Sequence, residues 1–509
     1  MNSGQPTIIR LHETDNVAVT LLDLAPGEAI ASANLTTRDH IQAGHKVAIR
    51  RINLGDPVLK FGQIIGFAAA AIEPGEHVHT HNLQIREFHR DSKIGTDSHP
   101  TELLPEAEGA HFEGVVRADG RVATRNYIGV LATVNCSASV SRFIADEFNK
   151  EILADFSNVD GVVALGHGTG CGMNADSQGF KILQRTLAGY ARHPNFGAIL
   201  LVGLGCEVNL VDCLMQNMNL TEGPLLKTVD IQTAGGTRES VAQGVNTIQH
   251  LLPEVNRVER RTVPAGHIVL GLECGGSDAY SGISANPALG AAADLLVRHG
   301  GTAILSETPE IYGAEHLLTR RAVSREVGEK LLERVKWWET YTASLGGEIN
   351  NNPTPGNKAG GLTTILEKSL GAAAKGGTTN LMEVYQYAQP VLSKGLVFMD
   401  TPGYDAASIT GMVAGGANIV CFTTGRGTVC GFKPVPTIKL ASNTAMFQHM
   451  KGDMDINGGR VIDGEITIRE MGEEIFRAIL EVASGKKVKS EILGFGDNEF
   501  VPWHIGAVM

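Results

Sequence analysis

Three histidines at alternate positions, His77, His79 and His81 in the stretch Glu76-His77-Val78-His79-Thr80-His81-Asn82, are the sharpest chemical signal in the chain. On a β-strand, residues at i, i+2 and i+4 share one face, with neighbours roughly 6.6 Å apart along it. Three imidazoles so placed can ligate a divalent cation, or supply two ligands and a proton shuttle. An exposed strand with solvated histidines is the plainer alternative, because neighbouring groups that charge repel. His12, Asp15, Asn16 and the pair His45-Lys46 lie in the same N-terminal stretch and could complete a polar site.

Cysteine and glycine mark a second constellation. Asn135-Cys136, Gly166-His167-Gly168-Thr169-Gly170-Cys171-Gly172, Gly203-Leu204-Gly205-Cys206-Glu207 and Glu273-Cys274-Gly275-Gly276-Ser277-Asp278 each follow a predicted strand. Ligands in open α/β sheets bind beyond the carboxyl ends of the strands. One buried cysteine is usually a small hydrophobe; four at equivalent strand ends point to a site. There is no C-x-x-C pair, which disfavours structural zinc, while a cluster bound by isolated cysteines stays open.

Two further loops carry a cation among glycines. Asn352-Pro353-Thr354-Pro355-Gly356-Asn357-Lys358-Ala359-Gly360-Gly361 presents Lys358 just before a predicted helix, where backbone N–H groups favour an anion. Its spacing is not that of a Walker motif, and a plain interdomain turn would have the same composition. Thr423-Thr424-Gly425-Arg426-Gly427-Thr428 ends a predicted strand, and its Arg is suited to clamping a carboxylate.

The elements that must position these residues fall into three regions. Short β-rich segments (Val17–Leu22, Lys46–Ile49, Gln63–Ala70) separated by Pro and Gly turns predict a small all-β module. Asp91–Gly109 has no periodicity and reads as a linker. From Gly114, strand-length apolar runs alternate with helix-length amphipathic segments, which predicts a mostly parallel sheet with helices on its faces. Ser324–Leu345 is a long charged helix whose Trp337-Trp338 pair packs on a neighbour; after the 350–361 loop the strand–helix rhythm resumes. The expected boundaries are 1–92, a linker at 93–112, a central α/β domain at 113–350 and a second α/β domain at 351–509.

Composition narrows the function. With 509 residues, about three or four domains with real cores are expected. A net charge of −12 leaves no basic surplus for a phosphate backbone, and 5 % aromatics argue against stacking platforms, so no nucleic-acid partner is expected. No apolar run is long enough to span a bilayer and no signal peptide is evident, so no membrane partner is expected. Seven scattered cysteines make no disulfide framework, and the chain reads as cytoplasmic.

At these same stations the chain resembles the altronate/galactarate dehydratase family of sugar-acid hydro-lyases. The matching stretches are Leu11-His12 with Asp15–Ala18, Gly44–Ala48, His77–Asn82, Arg125-Asn126, Gly203–Glu207, Glu273–Asp278, Ser281-Gly282, Ala285–Pro287, Asn352–Gly361 and Thr423–Thr428, in order over nearly the whole chain. The resemblance implies an N-terminal SAF-type β-clip module, a central α/β domain and a Rossmann-like C-terminal domain. It implies a divalent metal, Fe2+ or Mn2+, a small-molecule sugar acid as partner, and a homo-oligomer, most simply a dimer. The reaction implied is removal of water from an aldonate or aldarate to give a 2-keto-3-deoxy acid, with D-altronate favoured because the altronate branch keeps the histidine strand. Galactarate or another aldarate, a sulfolactate sulfo-lyase-like reaction, an iron–sulfur dehydratase and a non-enzymatic sugar-acid sensor are the alternatives.

Dehydration of this kind abstracts a weakly acidic proton α to a carboxylate, stabilises the aci-carboxylate and expels the β-hydroxyl with acid assistance. The residues expected to carry acid–base chemistry are His45, Lys46, His167 and Lys358. Those expected to bind substrate are Arg125, Asn126, Ser277, Asp278, Asn286, Asn357 and Arg426. Those expected to hold the metal are His77, His79, His81, Cys136, Cys171, Cys206, Glu207 and Cys274. The general base is not assigned among them.

Overall fold

The computed structural model describes residues 6–88, 90 and 93–506, with Glu106 described by its backbone alone. Its N-terminal module is all β. Ile8–Ile9, Val17–Thr20, Lys46–Ala48 and His77–Val78 form one antiparallel sheet, and Pro57–Lys60, Gln63–Ala68 and Leu83–Gln84 a second. Their shared core, with Val17, Ala48, Val58, Ile65 and Val78, does not close on itself. It continues into Ala314, Leu370 and Ala373 of the last domain. A module this small gains much of its buried apolar area from its neighbour.

The strand expected to run through all three histidines ends at Val78. Asn82 closes a turn there. Its N–H donates to the His79 carbonyl (3.0 Å), its side chain accepts from the His79 N–H (2.9 Å), and its amide donates to the His77 carbonyl (2.9 Å). Such local side-chain bonds compete with a sheet ladder. The histidines therefore gather through a turn rather than along one strand face.

The middle of the chain builds a four-stranded parallel sheet in the order Gly161–Leu165, Tyr127–Ala132, Phe196–Gly203, Leu226–Asp230. Alternation sorts its side chains between two faces. Ile128, Val130, Ala198 and Leu200 pack under helices Asn135–Asp146 and Thr237–Val255, while Leu131, Ile199 and Leu201 pack against Gln178–Ala191.

A seven-stranded parallel sheet follows, in the order Leu381–Tyr385, Gly395–Met399, Thr302–Leu305, Val269–Cys274, Ile419–Thr424, Thr437–Ala441, Ile456–Asn457. It draws strands from both sides of residue 350, so the boundary expected at 350/351 cuts through one sheet and is corrected. The Pro/Gly/Asn loop there is part of a crossover between parallel strands, and a crossover loop has the composition of a linker. The two parallel sheets part instead between Val255 and Val269. The expected linker is shorter than drawn: a strand begins at His111, and residues 93–110 lie along the last domain, with Gly95 N–H on Thr319 O (3.0 Å) and Leu104 N–H on Arg298 O (2.8 Å). Asp91 and Ser92 lie outside the described residues. The Trp337-Trp338 pair does pack on a neighbour, with Trp338 stacked on Trp503 at 5.3 Å.

Candidate active site

The β module meets the last domain along a seam made by the end of the short helix Pro355–Ala359, the two glycines after it and the helix Ile365–Ala373. Gly361 has φ +93°, and a Cβ there would stand 2.5 Å from the Gly44 carbonyl oxygen, so only glycine lets the two backbones approach this closely. Below this contact lies a buried triad. Glu367 accepts from Lys46 Nζ (2.9 Å) and Lys60 Nζ (2.9 Å), and Lys46 Nζ also donates to Gly361 O (2.6 Å). Burial brings the Lys46 ammonium down to about 8 against the pull of Glu367. Burial would raise the Glu367 carboxyl, but the two ammoniums outweigh it and hold it well below the usual carboxylate range.

On top of the seam the histidines form a cluster. His77 is central, with ring centroids 5.1 Å from His45, 5.3 Å from His79 and 5.5 Å from His81. His45 Nδ1 and His77 Nε2 are 3.0 Å apart. Two carbonyls of the facing loop fix the outer rings: Ala359 O pairs with His45 Nε2 (3.3 Å), and Lys358 O with His79 Nε2 (2.9 Å). Burial, reinforced by the neighbouring rings, depresses His45 to about 4 and His77 to about 3. Burial also lowers His79, against its bond to Lys358 O. His45, His77 and His79 are therefore neutral at neutral pH, with lone pairs available to a proton or a cation. A cavity of about 310 Å³ opens above it, lined by His40, Gln42, the four clustered histidines, Lys358 and Ala359.

A second set of functional groups lies at the carboxyl ends of the seven-stranded sheet, where parallel sheets place their ligands. Cys274 Sγ accepts from Lys375 Nζ (2.8 Å), and Lys375 Nζ also reaches Glu307 (3.1 Å). Lys368 Nζ pairs with Glu310 (2.7 Å). Glu273, Glu307 and Asp405 offer ligand oxygens within 4.8 Å of one another, as do Cys274, Glu307 and Glu310. Burial, helped by the other carboxylates, raises Glu273 well above its ordinary value, Glu307 to about 7 and Asp405 to about 6. Glu307 holds φ +67°, a strained setting for a non-glycine residue.

When both carboxyl groups are ionised, Glu273 Oε1 and Glu307 Oε1 are buried with no hydrogen-bond donor among the described residues. Four carboxyl groups here face two lysines, so full ionisation leaves two negative charges unmatched. Orphaned carboxylate oxygens with that charge surplus fit a hard divalent cation.

The residues expected from sequence divide between places. His45, His77, His79, His81 and Lys358 come together. Lys46 lies beneath them, fully occupied by the triad. Ser277, Asp278, Asn286 and Asn357 gather in the crevice: Asn357 Nδ2 donates to Ser277 O (2.8 Å), Thr423 Oγ1 to Asn286 (2.6 Å), and Asp278 accepts from Ser442 (2.8 Å) and Asn443 (3.1 Å). Cys274 belongs to the acidic set and not with the other three station cysteines, because its strand is part of the other sheet.

Several residues sit apart from both sets. Arg125 is at the opposite, amino end of its strand, buried against Glu491 (2.6 Å) and the carbonyls of Val482 and Lys486; Asn126 beside it binds the carbonyls of Asn158 and Val255. Arg125 ties the middle domain to the last and Asn126 fastens the middle domain to itself, so both are corrected to structural roles. His167 is buried in the middle domain on Ala132 O (3.0 Å). Glu207 spends its carboxylate on the N–H groups of Leu204, Gly205 and Cys206, shaping its own loop instead of holding a metal. Arg426 is exposed, outside the histidine cavity.

Sequence reading did not single out Glu307, Glu310, Glu367, Lys368, Lys375 or Asp405. A signal existed in the helix Ile365–Ala373, where Glu367 and Lys368 interrupt an otherwise apolar run buried on every side.

Three family models match the chain: the altronate/galactarate dehydratase SAF domain over residues 6–86, the D-galactarate dehydratase/altronate hydrolase second domain over 114–256, and the D-galactarate/altronate dehydratase C-terminal domain over 265–508. The chain belongs to this altronate/galactarate dehydratase family. It is 38 % identical over 487 residues to the galactarate dehydratase (L-threo-forming) of Escherichia coli strain K12, covering 94 % of this chain and 93 % of that one. It is 35 % identical to the altronate dehydratase of the same strain and 33 % identical to that of Bacillus subtilis strain 168, each alignment covering 95 % of this chain and 96 % of the relative.

Proposed function

We propose that the chain is a hydro-lyase that dehydrates a sugar acid, D-altronate, to its 2-keto-3-deoxy acid. The observation that carries this reading is the cavity of about 310 Å³ in which neutral imidazoles stand beside a single ammonium, Lys358. Its size suits a six-carbon acid. Lys358 takes the substrate carboxylate. His77 is the general base: its Nε2 meets His45 and, among the described residues, nothing claims its Nδ1, whereas His45 and His79 are committed to the carbonyls of Ala359 and Lys358. The Cα–H bond breaks as His77 takes the proton, the electron pair forms the Cα=Cβ bond, and the β C–O bond breaks. The hydroxyl leaves as water with a proton returned from the histidine pair, and the enol tautomerises to the keto acid.

The donor set Glu273, Glu307 and Asp405, with Cys274 and Glu310 beside it, would hold Fe2+ or Mn2+, which would supply Lewis-acid charge at the carboxyl ends of the seven-stranded sheet. Burial and the orphaned oxygens support that placement. A homodimer in the cytoplasm is the working form that the family resemblance suggests. Among the described residues, no helix is long and apolar enough to cross a membrane.

The test is formation of 2-keto acid from altronate, galactarate, glucarate and sulfolactate, after chelation and again after adding back Fe2+ or Mn2+. Turnover of a sugar acid supports the reading. Binding without turnover of any of the four overturns it in favour of a sensor.

A further inference from the structure

Three cysteines have no part in the site described so far. Cys136, Cys171 and Cys206 are free and exposed, and each follows one of three neighbouring parallel strands of the middle sheet. Those strands end level with one another, since Leu131 pairs with Leu165 and Ala132 with Val202. Neighbouring strands lie about 4.8 Å apart, so the three loops share one rim.

Hydrogen bonds lock the loops into a single platform. Asn135 N–H donates to Thr169 O (2.9 Å), Asn209 N–H to Gly170 O (3.1 Å), Asn209 Nδ2 to Thr133 O (2.9 Å), and Thr133 Oγ1 to Glu207 (2.9 Å). The bonded residues lie one to three positions from the cysteines. The backbone beside the thiols is also specified. Gly170 (φ +100°) and Gly172 (φ +63°) flank Cys171, and Gly205 (φ +117°) precedes Cys206. A Cβ on Gly170 would stand 2.5 Å from Thr133 O. Gln232 Nε2 already donates to Cys206 Sγ (3.3 Å), and the twelve-residue helix opened by Asn135-Cys136 has no side-chain cap.

We propose that Cys136, Cys171 and Cys206 hold an iron–sulfur cluster through three thiolates, leaving one iron without a protein ligand. Among the described residues, the sets of three ligand atoms within 4.8 Å do not include these thiols, a spacing wider than one ion takes and one that a multi-iron cluster tolerates. Ligation releases the three thiol protons and changes no oxidation state of the chain. Three rather than four cysteines leave one iron open on the exposed rim to an oxygen ligand from a hydroxy acid or water. Cys274, in the other sheet beside Lys375, takes no part. The proposal does not depend on which acid is dehydrated, and cluster content is measured without an activity assay.

The full-length chain is to be loaded anaerobically with ferric iron and sulfide under thiol reductant, the thiol reducing part of the iron to the ferrous state, then desalted and assayed for iron, acid-labile sulfide and visible absorbance. About four of each per chain are expected. Cys136→Ser, Cys171→Ser and Cys206→Ser should each lose most of the sulfide, and Cys213→Ser should keep it. In the unsubstituted protein, alkylation with mass-spectrometric readout should find these three cysteines protected when loaded and reactive after the cluster is stripped. That arm reads the site even if a serine variant fails to fold. Iron without sulfide, no iron at all, sulfide retained in all three variants, or equal alkylation with and without cluster would each overturn the proposal.

Discussion

His77 sits among three other imidazoles with its Nε2 on His45, and among the described residues no loop group claims its Nδ1. His77→Gln should therefore lower kcat/KM by roughly 10²–10⁴-fold, the range of a lost general base. Unfolding monitored by circular dichroism should stay close to that of the parent, because the ring is only partly buried. Activity preserved in that variant would remove His77 from the mechanism. Lys358→Met tests the other half of the cavity. If the ammonium contact tightens as charge develops on the carboxylate, the loss in kcat/KM should be about 2–4 kcal/mol. A change in KM alone would mean that Lys358 binds substrate and transition state equally. The histidines and Lys358 were legible as residue types in the sequence. Their pairing was not, because His45 and His79 find their carbonyl partners 314 and 279 residues away.

At the scale of elements, the helix Ile365–Ala373 is what the sequence hid. It is short, buried along its whole length, and lies inside a crossover whose Pro/Gly loop resembles a linker. Strands such as Gly395–Met399 and Thr302–Leu305 were legible because each is one apolar run. Which sheet they join depends on long crossovers that no local pattern encodes. The helix also carries Glu367. Replacing it by Gln leaves two buried lysines without their counter-charge, and the expected loss is about 3–5 kcal/mol of stability in denaturant titrations.

A pH dependence follows from the histidines. His167 and His193 are buried and depressed to about 4, as is His45. Below pH 6.5 the unfolded chain binds protons that the folded chain refuses until about pH 4. Stability is therefore full above about pH 6.5 and falls through that window, at up to about 1.4 kcal/mol per pH unit for each histidine. His167→Gln should flatten the fall between pH 6.5 and 4. An unchanged slope would show that this ring titrates normally.

For the molecule as a whole, the substrate is chosen where two domains meet. The β module contributes the imidazoles, the last domain the ammonium, and the Lys46–Glu367–Lys60 triad fixes the distance between them. A net charge of −12 disfavours anions overall, so an acid must find local positive charge at the seam. Among the described residues, Lys358 is the one lysine or arginine in the cavity lining. His45 and His77 there are held neutral, Lys46 is spent beneath them, and Arg426 is exposed elsewhere. A single ammonium matches one carboxylate; the second carboxylate of galactarate would stand against rings that resist charging. Identities of 38 % to a galactarate dehydratase and 35 % to an altronate dehydratase differ too little to outweigh that composition. Steady-state kcat/KM for D-altronate should thus exceed that for galactarate by at least about tenfold, or about 1.4 kcal/mol of transition-state discrimination. The order should invert in Gln42→Arg, which adds a second cation to the lining. If the unsubstituted chain prefers galactarate tenfold or more, the single-ammonium argument fails and the second carboxylate must be held by groups outside this cavity.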